Sequence, residues 1–170
     1  IVNDPHVKSL SFRLKVDESI AFDNPPRVEQ ELSAFKVILE NNTLIIEMKD
    51  HFATEIDARS IVEPFLRSWE LDVALGHGNK AVQFEFFRSE IIDRKPPPPG
   101  QPQTIQVGVA IHGTATVVAH SQVVRKMYPP PPTNLSFTPD VASLWERYEG
   151  YSKGREPLLS MAYFCLSLLQ

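Results

Sequence analysis

Leu10, Phe12, Leu14 and Val16 alternate with Ser11, Arg13, Lys15 and Asp17 near the start of the chain. A period of two is that of a strand with one buried and one wet face, so a first strand is expected over residues 10–17. Asp23, Asn24, Pro25 and Pro26 break the pattern, and a second alternation follows at Phe35, Val37 and Leu39. Asn41 and Asn42 separate that run from Leu44, Ile46 and Met48. Asparagine tolerates the positive φ of a tight turn, so residues 34–49 read as a hairpin.

The period then changes. Ala58, Ile61, Val62, Phe65, Leu66, Trp69 and Val73 recur at spacings of three and four, which gathers them on one face of a helix over residues 54–75. Thr54 and Asp57 form a shortened capping box at its start, and Gly76 is placed to close its end. Pro64 removes a backbone donor inside this helix and predicts a kink or a break near residues 60–63. Period two resumes at Val82, Phe84 and Phe86, alternating with Gln83, Glu85 and Phe87, and continues irregularly to Ile92.

Two proline tracts follow, at residues 95–103 and 128–134. Consecutive prolines cannot donate to a strand ladder and hold an extended conformation, so both read as exposed connectors rather than as ligands for an aromatic groove. Between them Ile105, Val107, Val109 and Ile111 alternate with Gln106, Gly108, Ala110 and His112, then Gly113 interrupts a Thr/Val-rich run through Val124. Residues 104–124 are expected to form a second hairpin or one long bent strand pair.

The last section is helical. Thr138 with Pro139 is a strong start signal, and Val141, Leu144, Trp145, Tyr148 and Tyr151 share one face. Pro157 opens a run over residues 158–169 that is apolar nearly all round, interrupted only by Ser160 and Ser167. Such a helix needs cover on every side. Either it is the core helix of the domain, or it meets a neighbouring domain or a second copy of the chain. Leu158, Leu159, Phe164, Leu166 and Leu169 are therefore the candidate interaction residues. The run reaches Gln170 without a cap, which fits a larger protein that continues.

Together these elements predict an α+β fold: a mainly antiparallel sheet built from hairpins, covered by one kinked central helix, with a C-terminal helical pair. Residues 1–134 form the sheet domain in this reading. Residues 135–170 form a helical section, read as the start of a further domain or as an oligomerisation element.

Composition narrows the function classes. A chain of 170 residues can bury a core without metal or disulfide, and 42% hydrophobic with 22% charged residues is ordinary globular usage. A net charge of -4, with basic residues only in short pairs such as Arg94–Lys95 and Arg125–Lys126, gives no expectation of a nucleic-acid partner. The single cysteine, Cys165, cannot form an internal disulfide, so a cytoplasmic location is expected. No apolar run reaches the ~20 residues of a membrane span, and no membrane partner is expected.

There is no glycine-rich phosphate loop, nucleotide fingerprint or nucleophile elbow, and no cofactor is expected. None of the five histidines stands four residues from another, so no metal site is expected. His112 and His120 share strand parity, and with Glu85 they are the residual catalytic candidates for a hydrolase or transferase whose site assembles only in the fold. The leading expectation is a non-catalytic binding or protein-interaction module of a larger cytoplasmic protein. Its partner would be another protein domain or a second copy.

Overall fold

In chain order the elements are β1 (Pro5–Val16), β2 (Ile20–Phe22), β3 (Val28–Glu31), β4 (Phe35–Glu40), β5 (Thr43–Met48), α1 (Glu55–His77), β6 (Val82–Asp93), β7 (Ile105–Val109), β8 (Val123–Arg125), α2 (Pro139–Ser152) and α3 (Leu158–Leu168). The computed structural model describes residues 4–77, 82–95, 105–109, 123–133 and 138–168. The chain divides into two compact units, Ile1–Pro132 and Thr133–Gln170.

In the first unit, β1 lies inside a six-stranded antiparallel sheet of order β3-β4-β5-β1-β6-β7, so the fold is α+β. The β4–β5 hairpin forms as the asparagine turn predicts, with Asn41 at φ 50° and Asn42 at φ 56°. Leu14 donates its amide to the Asn42 carbonyl at 2.9 Å, which ties the turn to β1.

Two register shifts separate β1 from simple alternation. Lys8 is an extra residue between the pairs Val7↔Ile91 and Ser9↔Glu90, and Phe87 is extra between Ser11↔Arg88 and Phe12↔Phe86. Each extra residue reverses which parity faces inward. Val7 is therefore buried together with Leu10, Phe12 and Leu14, and Ser89 is buried on the strand that also buries Val82. The irregular second half of β6 in the sequence is this bulge.

α1 covers the inner face. Ala58, Val62, Leu66, Trp69 and Val73 are buried against Leu10, Phe12, Val37, Leu39, Leu44 and Ile46, with Trp69 wholly enclosed. The Trp69 ring lies 4.9 Å from that of Phe84 and 6.0 Å from that of Phe65. Thr54 caps the helix by accepting from the Asp57 amide at 3.2 Å, while its hydroxyl donates to the Asp57 carboxylate at 2.5 Å. The helix runs unbroken through Pro64, because Pro64 and Ser60 are both exposed and the carbonyl that loses its partner can bond solvent. It also continues past Gly76 to His77.

The strands inside the proline-bracketed unit pair differently from the sequence reading. β7 pairs with β6, from Arg88↔Val109 to Ile92↔Ile105, so the first proline tract connects neighbouring antiparallel strands. β8 pairs in parallel with β2 in a separate two-stranded sheet. The described arms of the expected 104–124 hairpin thus join different sheets. The open edge of β6 offers β7 a full ladder, and a proline connection between strands costs that ladder nothing. After β8, Tyr128 is buried and its hydroxyl accepts from the Asn42 amide at 2.8 Å.

Candidate functional site

The second unit is a pair of helices. Thr138 accepts from the Val141 amide at 3.3 Å, and Pro139 opens α2 where its missing N–H is no loss. α2 ends where Gly154 takes φ +68° and donates to the Tyr151 carbonyl at 2.9 Å. The Arg155 and Glu156 amides both donate to the Gly150 carbonyl, at 2.8 and 3.1 Å, which turns the chain toward α3. Arg147 then joins the helices. Its guanidinium donates to Glu156 Oε1 at 2.8 Å and lies 4.6 Å from the centre of the Phe164 ring.

Neither helix contains a buried residue. Leu159 is 84% exposed, Tyr163 78% and Leu166 63%. At a helical repeat these three stand at i, i+4 and i+7, so they form one outward stripe on an element that carries no charged side chain. Leu158 is also exposed. Phe164 is half-buried beneath Arg147, so it belongs to the joint between the helices rather than to the outward face. Leu169 lies outside the described residues. Tyr163 was not among the residues singled out from sequence, although its spacing from Leu159 and Leu166 marks it.

The catalytic candidates do not converge into a described site. Glu85 faces the open side of the sheet and pairs with Lys15 at 2.8 Å. His112 and His120 lie outside the described residues. Among the described residues, no group of three or more His, Cys, Asp or Glu side chains is placed to hold a metal ion. Ser89 is buried and donates its Oγ to Glu55 Oε2 at 2.6 Å. Arg59 lies beside it, 3.6 Å from Glu55 Oε1 and stacked over Phe86 at 4.5 Å. A serine in such a pair needs an imidazole or amine to take its proton before it can attack. Glu55 instead fixes the first turn of α1 to β6.

The open face of the sheet is laced with charge. Lys8 pairs with Glu90 at 3.0 Å, and Lys36 bridges Glu29 and Glu31. Hydrogen bonds from Lys36 and Lys49 hold the Glu29 and Glu31 carboxyls, respectively, below the ordinary carboxylate range, and the bond to Glu29 raises Lys36. The carboxylates are exposed and Lys36 is half-buried between them, so the group acts as a solvated lattice.

Among the described residues, no helix is long and apolar enough to cross a membrane. Comparison with known proteins finds no matching family model, no matching curated relative and no matching solved structure. The geometry alone carries the functional argument.

Proposed function

We propose that this chain is a non-catalytic protein-interaction module, part of a larger cytoplasmic protein, which docks through the outward stripe of α3. The observation that carries the reading is the alignment of Leu159, Tyr163 and Leu166, all strongly exposed, on one face of an uncharged helix. Apolar surface of this kind is stabilised by burial against another apolar surface, at about 25 cal/mol per Å² removed from water. Another protein domain or a second copy could supply that surface, and the chemistry favours the second copy. A two-fold contact sets the same patch against itself, and a patch without charges brings no like charges together.

Light scattering from micromolar to millimolar concentration tests this directly. The chain is expected to dimerise reversibly. Leu159→Glu with Leu166→Glu is expected to weaken association by at least roughly thirtyfold, about 2 kcal/mol, with helix content unchanged by circular dichroism. A native chain that stays monomeric throughout that range overturns the self-association.

A further inference from the structure

A separate cluster of titratable side chains lies in the first unit, where β1 begins, β6 ends and the chain passes from β5 to α1. Hydrogen bonds from backbone amides join the three segments. Asp4 donates its amide to Asp93 Oδ1 at 3.1 Å, Arg94 donates to the Asp4 carbonyl at 3.0 Å, and Val7 donates to the Phe52 carbonyl at 2.8 Å. Beside this seam the imidazoles of His6 and His51 stack, with ring centres 5.3 Å apart and planes 24° from parallel. His6 Nδ1 is buried without a hydrogen-bond partner, and His51 Nε2 stands 3.8 Å from Asp4 Oδ1.

The charged groups that act on His6 are Asp4, just before β1, and Arg94, just after β6, and Asp93 at the end of β6 is bonded to the Asp4 amide. Asp93 Oδ1 already accepts from the amides of Asp4 and Lys95.

We infer that His6 and His51 form an acid-sensitive latch, closed while the rings are stacked and His6 is neutral, and opened by protonation of His6 to release the start of β1 from the segment that leads into α1. An imidazolium donates from both nitrogens, and the buried Nδ1 of His6 has nothing to donate to. A charged His6 ring would also stand against the positive charge of Arg94, which the Asp4 carboxylate opposes.

Burial, His51 and Arg94 already hold His6 below its ordinary value of 6.5, with Asp4 opposing them. A group whose folded pKa is lowered contributes stability that is complete above its unfolded value and is lost as pH falls through the folded one. The latch is therefore shut at neutral pH and weakens below 6.5. Its opening would loosen residues 51–53, immediately before the Thr54 cap of α1, and leave the β4–β5 hairpin intact.

Amide hydrogen exchange on the whole chain at about pH 7.5 and about pH 5.5, corrected for intrinsic rates, tests this. Protection of the Val7 and Arg94 amides is expected to fall several-fold at the lower pH, while that of Ile46 is unchanged. In His6→Phe/His51→Phe, which keeps two rings without titratable nitrogens, the acid-dependent loss should vanish. Equal protection in the native chain at both pH values, or a loss that persists in the double variant, overturns the latch. A nuclear magnetic resonance titration of His6 in the native chain supplies a readout independent of the variants. Its midpoint is expected below 6.5, and a midpoint at or above that value would overturn the latch as well.

Discussion

Ser89 and Gly108 face each other across β6 and β7, and their contact shows how tightly one position constrains its neighbour. A Cβ added at Gly108 would stand 2.8 Å from Ser89 Oγ and 3.3 Å from Glu55 Oε2. Gly108→Ala must therefore push the hydroxyl off its carboxylate. Ser89→Ala removes that hydrogen bond outright, at a cost of about 1–2 kcal/mol in denaturant unfolding. The two substitutions share one contact and should not be additive. In the Ser89→Ala background, Gly108→Ala is expected to cost less than it does alone, and strictly additive costs would show the contact to be unimportant. None of this could be read from the chain. Ser89 sits after the bulge at Phe87, where parity reverses, so on a plain alternation it counts with the outward residues.

At the scale of elements, legibility followed apolar content. The β4–β5 hairpin and α1 announce themselves because burial imposes a period on their sequences, whereas β3, reading Val-Glu-Gln-Glu, shows almost none. β3 is an edge strand held by its ladder to β4 and by carboxylates paired with Lys36 and Lys49. Because those pairings lower the Glu29 and Glu31 pKa values, the stabilisation is complete above the ordinary 4.5 and fades as pH falls below it. After correction for intrinsic exchange rates, amide protection in β3 is expected to fall below that pH and in high salt, ahead of that in β5. A β3 that stays protected as long as β5 would contradict this. The α3 stripe was half legible. Its apolar run was plain, but which residues face outward depends on Arg147 of α2 covering Phe164, a contact between helices that spacing within one helix does not encode.

At the scale of the molecule, the α+β class follows from alternating periods of two and three to four. The sheet order could not be read, since alternation fixes which residues face the core and leaves unsaid which strands are neighbours. The catalytic candidates met the same limit: Glu85 was noted for its chemistry, and its partner Lys15 lies on β1, far away in sequence.

The position of β1 also governs how the chain reaches its fold. This strand is made early, yet one of its neighbours, β6, follows α1, so β1 cannot be flanked on both sides until everything between has been synthesised. The β3–β4–β5 meander needs only short loops to close, whereas pairing β1 with β6 closes the long one, and non-local closure slows folding. Kinetic analysis of truncations should find that Val37→Ala and Ile46→Ala slow refolding, while Phe84→Ala mainly speeds unfolding. The reverse partition would place the long closure before the meander. On the ribosome, β1 leaves the exit tunnel carrying Leu10, Phe12 and Leu14 with both flanks unclaimed; β5 can claim one soon after, but the other stays open until β6 emerges.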